Sequence, residues 1–447
     1  MKNVCSPFEG KRITVMGLGL LGRGVGDVEF LAKCGAQVLV TDRKTEAELA
    51  ESVEKLKSYP NVVFHLGAHD EKDFTGCDMV LKAAGVPLDS PYIEAARAAG
   101  VPVYMSTALF AKYAMEEGAT IVGVTGTRGK STTTQMIYEV LKGDDKRNVL
   151  LGGNIRGVST LALLPEVEKG GIVVLELDSW QLQGFGDLKI SPQIAVFTNL
   201  MQDHQNYYPN MDAYFSDKAN IFNDQKEGDT LICGTSIEER IAAARPKVAP
   251  HVPPPLPSDW TLEIPGEHNR ENASLAAEAL RALHVTENEI RAGLEAFEAV
   301  TGRLQFLREI NGVKIYNDNN ATTPDATIAA LKALDTGKKN IVLIMGGDDK
   351  KLDMSQLVSE IPLHCSKVVL FKERGTDRIR DAVFDSKNAG IEVYEEEGLE
   401  NTVNRAFTVA ASGEIILYSP AFSSFGKYFK NEFDRGDQFM KLVEKMN

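Results

Sequence analysis

Short, unbroken apolar runs recur along the chain, each closed by glycine or by small polar residues. Runs of this length without polar alternation read as strands buried on both faces, the habit of parallel sheets covered by helices. RITVMGLG (12–19), QVLVTD (37–42), MVLKAAGVP (79–87) and VPVYMS (101–106) form a first block. TIVGVTGT (120–127), NVLLGGN (148–154), IVVLELD (172–178) and IAVFTNL (194–200) form a second. A third opens near Arg303 and runs through KIYNDN, NIVLIMGG, KVVLF and EIILYSP. Helical stretches separate the runs, so βαβ units and an α/β fold are predicted, with boundaries near 107 and 302. The proline-rich stretch 245–260 can be neither helix nor central strand and is predicted as irregular surface, followed by a helix over roughly 269–283.

The chain has 447 residues, enough for two to four domains, and its 43% hydrophobic and 25% charged content is that of a globular protein. A net charge of −14 argues against a nucleic-acid partner. It leaves anionic ligands open, because local loops bind phosphates. Cys5, Cys34, Cys77, Cys233 and Cys365 form no CxxC pair, which predicts reduced thiols with neither a disulfide framework nor a zinc site. The N-terminus has no apolar signal segment and no run of 18 apolar residues occurs, so a cytoplasmic protein without a membrane partner is expected.

The sharpest motif is GVTGTRGKSTTT (123–134), set between a strand and a helix. A glycine turn there lets backbone N–H groups of Gly126, Thr127, Arg128 and Gly129 face phosphate oxygens, and the helix N-terminus at Ser131 and Thr132 adds its dipole. Lys130 would neutralise β/γ-phosphates and the Ser131 hydroxyl would ligate Mg²⁺. The strict GxxxxGK[ST] pattern is not met, since position 124 is Val. GLGLLG (17–22), with Asp42 twenty residues beyond Gly22, matches the dinucleotide fingerprint. That turn suits NAD(H), a nucleotide diphosphate held without redox chemistry, or close packing alone; Arg43 could add a phosphate contact.

Glu176 ends a strand beside the phosphate-loop strand, where a phosphate-bound Mg²⁺ needs an oxygen ligand. His204 follows the next strand and could serve a second ion, although a loop histidine is the plain alternative. Lys218 reads from its residues alone as a solvated lysine on an amphipathic helix. Asn269 and Asn272 stand one helical turn apart, as caps or as a clamp on a nucleotide. Asp318 and Lys350 follow strands of the third block, at the edge where ligands bind a parallel sheet. SPAFSSFGKYFKNEFDRG (419–436) is either a ligand loop or a capped C-terminal helix.

Taken in this order, the motifs resemble the Mur ligase family, and within it the member that adds glutamate. The match runs over nearly the whole chain, through GLGLLG with TDR, TGTRGKSTTT, LGGNI, LELDSWQLQ, QDHQNYYP, GEHNRENA, NDNNATTP, GGDDK and SPAFSSF. The resemblance implies three domains. Residues 1–107 would be a Rossmann-like domain for a UDP-muropeptide, held by Gly17, Leu20, Leu21, Asp42, Arg43 and Gly85. Residues 108–302 would be a central P-loop, parallel-sheet ATPase, with Asn154 orienting the acyl end of that substrate. Residues 303–447 would be a second Rossmann-like domain for the amino acid, bound by Lys350, Ser424 and Phe425. ATP would be held by residues 126–132 with Asn269, Asn272, Arg303 and Asp318. Two Mg²⁺ ions are implied, on Ser131 and Glu176 and on His204 and a carbamylated Lys218.

The implied reaction joins D-glutamate to UDP-N-acetylmuramoyl-L-alanine through an acyl phosphate, in a cytoplasmic monomer. Three departures stand out: Asn320 where Lys is usual, Ala84 at the start of the AAGVP loop, and an altered order around KNEF after Ser424. They leave a family ligase for another amino acid or carrier as the alternative. An NAD-dependent oxidoreductase leaves GTRGKS and the third block unexplained, and a non-catalytic nucleotide-binding regulator leaves the full ligand set without a purpose.

Overall fold

In the computed structural model, which describes residues 4–18, 22–143, 147–203, 207–385 and 390–446, three sheets gather the apolar runs. The first comprises β1 (Arg12–Met16), β2 (Gln37–Asp42), β3 (Val62–Leu66), β4 (Met79–Lys82) and β5 (Val103–Tyr104), in order β3-β2-β1-β4-β5. Every pairing in it is parallel. The second comprises β6 (Thr120–Thr125), β7 (Val149–Gly153), β8 (Ile172–Glu176), β9 (Ile194–Phe197), β10 (Thr230–Cys233) and β11 (Pro250–His251). Its order is β11-β10-β9-β6-β8-β7, again all parallel. Ile121, Val122 and Val124 of β6 are fully buried, as helices on both faces require. The proline stretch supplies only the two-residue edge strand β11, the one sheet position where proline's missing N–H does no harm.

The third sheet comprises β12 (Gln305–Ile310), β13 (Val313–Asn317), β14 (Ile341–Met345), β15 (Cys365–Phe371), β16 (Glu392–Glu396) and β17 (Ile415–Tyr418), in order β12-β13-β17-β14-β15-β16. It is mixed rather than parallel, because β12 and β13 form an antiparallel hairpin. Asn311 (φ 52°) and Gly312 (φ 79°) make its two-residue turn. Both need left-handed backbone, which an Asn-Gly pair supplies, so the hairpin signal was present in REINGVKI.

The first compact unit takes Met1–Pro255 and Asn272–Gly293, and holds the first two sheets. One core cluster runs through them, from Phe8, Val15 and Phe30 to Phe110, Ile121 and Leu175. The second unit takes Leu256–Glu271 and Leu294–Asn447, with separate cores on the two faces of the third sheet. Not all five cysteines are reduced thiols: Cys5 and Cys34 form a disulfide, with Cα atoms 4.8 Å apart, and only Cys77, Cys233 and Cys365 are free. Spacing could not reveal this, because the pairing depends on an N-terminal turn packing onto the C-terminal end of the helix Arg23–Lys33. Among the described residues no helix is long and apolar enough to cross a membrane.

Candidate active site

Parallel sheets deliver their loops at the carboxyl ends of the strands, and the phosphate loop leaves β6 there. Gly126 has φ +145°, and a Cβ on it would lie 1.9 Å from Thr198 Oγ1. Gly129 has φ +81°, and a Cβ there would lie 2.3 Å from Asn272 Oδ1. At both positions a side chain would be strained by the positive φ and would have to displace its neighbour. The loop is tied to the end of β9: Thr127 N donates to Asn199 O at 2.9 Å and Arg128 N to Asn199 Oδ1 at 2.9 Å. Thr198 Oγ1 donates to Arg128 O, and the Arg128 guanidinium pairs with Asp203 at 2.9 Å. Lys130 opens the helix Lys130–Lys142 and folds back, its ammonium 3.1 Å from the carbonyls of both Gly126 and Thr127. Ser131 and Thr132 follow in the first turn. A rigid turn, a helix N-terminus and a lysine at its mouth together make an anion site.

β8 adjoins β6 with Glu176 opposite Val124, so this carboxylate stands beside the loop. It is 4% exposed. Asn154 Nδ2 donates to Glu176 Oε1 at 3.2 Å, and Asn154 N to Glu176 O at 2.7 Å. Gly153 permits this approach, since a Cβ there would meet Glu176 O at 2.0 Å. A buried carboxylate whose side-chain partner is a neutral amide is a fit site for a cation. Among the described residues no three His, Cys, Asp or Glu converge as a metal cage.

Lys218 is not the solvated lysine its helix pattern implies, for it is 1% exposed. It sits at the end of the helix Met211–Ala219, donating to Gly126 O at 2.8 Å and Thr125 Oγ1 at 3.3 Å over the Tyr214 ring. Burial drives its pKa well below the ordinary lysine value, and the charge of Lys130 pushes the same way. His204, Leu20 and Leu21 lie outside the described residues.

Gly17 (φ +88°) and Gly22 (φ +78°) both take left-handed backbone, and Gly22 caps the helix Arg23–Lys33. Asp42 accepts from Leu18 N at 3.1 Å and Lys44 N at 2.9 Å, so it braces this turn. Arg43 and Gly85 are exposed. Asn272 lies against the phosphate loop at Gly129. Asn269 belongs to the second unit, where its amide donates to Pro265 O at 2.7 Å.

The second unit brings Asp318, Lys350 and Ser424 onto loops at the carboxyl ends of its strands. Asp318 is buried, accepting from Leu304 N at 3.0 Å and Ser419 Oγ at 2.8 Å; desolvation raises its pKa to about 7, against the pull of Arg303. Lys350 donates to Thr322 Oγ1 at 3.0 Å. Ser424 is 2% exposed and Phe425 58% exposed. Asp348 and Ser423 exchange backbone hydrogen bonds of 2.9 and 3.0 Å, joining the GGDDK loop to the Ser424 loop. Asn320, standing where the family usually has Lys, bonds Thr301 O at 3.2 Å.

Sequence reasoning missed Arg435, which is fully buried in the helix Glu432–Glu444. It donates to Asn319 Oδ1 and O, both at 2.8 Å, and to Phe422 O at 3.1 Å. It thus fixes the loops carrying Asp318 and Ser424 from behind. An arginine in a charged amphipathic helix carries no local sign of this. Arg23, whose guanidinium reaches Asn154 Oδ1 at 3.0 Å, was missed for the same reason.

The same three parts appear in the family comparisons. The model for the MurD-like N-terminal domain of Mur ligases matches residues 11–105, that for the Mur ligase middle domain 124–252, and that for the Mur ligase glutamate ligase domain 302–422. The chain belongs to the Mur ligase family. This ligase is 34% identical to the UDP-N-acetylmuramoylalanine–D-glutamate ligase of Roseiflexus sp. (strain RS-1), across 97% of its own length and 98% of that protein. It is 35% identical to the ligase of that name from Borreliella afzelii (strain PKo), across 96% and 97%. Its fold is that of the UDP-N-acetylmuramate-alanine ligase MurC of Thermotoga maritima (TM-score 0.62, 21% identity, 97% and 99% coverage). It is also that of MurF from Thermotoga maritima, solved with ADP (TM-score 0.60, 16% identity, 100% and 99% coverage).

Proposed function

We propose that this ligase joins D-glutamate to UDP-N-acetylmuramoyl-L-alanine at the expense of ATP, acting as a cytoplasmic monomer in peptidoglycan synthesis. The observation that carries the reading is the phosphate loop with Glu176 and Asn154 beside it, on a chain matching D-glutamate ligases end to end.

A carboxylate and an amine do not condense in water, so the γ-phosphoryl is first transferred to the substrate carboxylate. Of the loop amides, those of Thr127 and Arg128 already donate to Asn199, so Gly126 and Gly129 with Lys130 would hold the phosphates, and Lys130 would offset charge that develops on the transferring group. Asn272 borders the loop and would meet the nucleotide; Asn269, Arg303 and Asp318 complete the ATP contacts in this reading. Asn154 orients the acyl end, while Gly17, Leu20, Leu21, Asp42, Arg43 and Gly85 take the UDP part. Lys350, Ser424 and Phe425 bind the glutamate, whose amine attacks the acyl carbon and displaces phosphate. Ser131 and Glu176 would hold one Mg²⁺, and His204 with a carbamylated Lys218 a second; the ions would supply charge neutralisation at the phosphoryl group. The depressed pKa of Lys218 supports carbamylation, because only a neutral amine adds carbon dioxide.

Purified enzyme with ATP, Mg²⁺, UDP-N-acetylmuramoyl-L-alanine and D-glutamate should release phosphate. Release with no member of an amino-acid panel would sink the ligase reading, and release with another amino acid alone would reassign the substrate. Lys130→Ala should lower kcat by about 10²- to 10³-fold.

A further inference from the structure

The helix Arg23–Lys33 begins in the N-terminal glycine turn, yet its first turn reaches the central sheet. Arg23 Nη1 donates to Asn154 Oδ1 at 3.0 Å, and Asn154 Nδ2 donates to Glu176 Oε1 at 3.2 Å. A guanidinium only donates and a carboxylate only accepts. An asparagine amide between them satisfies both in one orientation and neither in the flipped one. One helical turn later Ser159 Oγ donates to Asp27 at 2.6 Å, on the segment that follows Asn154 out of β7. Gly26 makes room for this contact, since a Cβ there would lie 2.6 Å from Ser159 Cβ. The helix is therefore pinned to the Asn154 segment at two points, one turn apart.

We propose that Arg23 is a positioning residue of the ligase: it locks the Asn154 amide against Glu176 and so joins the UDP-binding turn to the carboxylate beside the phosphate loop. The inference rests on the roles given above to Asn154 and Glu176. The plain alternative is a seam that only holds two sheets together. In that case loss of Arg23 lowers stability and leaves the turnover of folded enzyme unchanged.

A double-mutant cycle with Arg23→Met, Asn154→Ala and the pair separates these. Arg23→Met should lower kcat by roughly 10- to 100-fold through misplacement of Asn154, and leave the KM for ATP within about twofold. Arg23→Lys should recover part of the loss, because it restores a charged donor. The double variant should turn over no more slowly than the worse single variant. Unchanged kcat in Arg23→Met, or losses that multiply in the double variant, would overturn the proposal. A second readout needs no substrate: urea midpoints of the same four proteins should be non-additive, and additivity would remove the contact itself. If the parent enzyme released no phosphate, the ligase reading would fail, while the urea cycle would still decide whether Arg23 is coupled to Asn154.

Discussion

Asp318 is a carboxylate placed where water scarcely reaches it, 7% exposed, with two hydrogen bonds and a pKa raised to about 7 by burial. Between pH 4 and pH 7 the folded chain keeps a proton that the unfolded chain has released. Stability therefore falls as pH rises through that window, and the penalty is complete above pH 7. Asp318→Asn keeps an acceptor for Leu304 N and does not titrate. It should melt above the parent at pH 8 and level with it near pH 4, with a ceiling on the order of 4 kcal/mol, while losing turnover. A parent–variant difference in melting temperature that stays flat across this range would contradict the buried charge. The same residues divide what was legible from what was not. Lys130 and Ser131 could be read because strand, turn and helix lie within a dozen residues. Arg23 and Arg435 could not, because their partners lie 131 and 116 residues away. Lys218 shares its helix face with apolar neighbours, and only the fold shows that this face is covered.

Among the elements, the helix Arg23–Lys33 sets two opposed effects against each other at Gly26. Alanine in a helix is better than glycine by about 1 kcal/mol. Against that stands a Cβ placed 2.6 Å from Ser159 Cβ, in a packed seam where overpacking costs about 1–3 kcal/mol. The clash should win. Gly26→Ala is expected to lower the urea midpoint, and a raised midpoint would show that the helix can back away. The apolar runs located twelve strands because parallel strands are apolar on both faces, but β3, β10, β11, β12 and β16, all except β10 at sheet edges, were not among the runs read. Strand order and the turned-back β12 were not written in hydrophobicity. The reversal rests on Asn311 and Gly312, two residues whose left-handed backbone decides direction, not burial.

For the molecule as a whole, the Cys5–Cys34 bond closes one loop at the start of the first unit, across a separation of 29 residues. Restricting an unfolded loop of that length stabilises the native state by about 3–4 kcal/mol in the chain-entropy account. Cys34→Ser, or added reductant, should lower the melting temperature of a transition that a tryptophan-independent probe of the N-terminal sheet follows. No shift would mean that the staple constrains nothing the core does not already hold. Three sheets and their chain order could be read from end to end. The joining of two of them in one core could not, since Phe8 and Phe110 have no local reason to share it. The turn from Gly126 to Gly129 has a last consequence, for the genetics of inhibition. Every amino-acid substitution at either glycine installs a Cβ against Thr198 Oγ1 or Asn272 Oδ1, on backbone with positive φ. A compound that rests on that stretch of backbone faces a surface where resistance by substitution strains the loop that the enzyme needs.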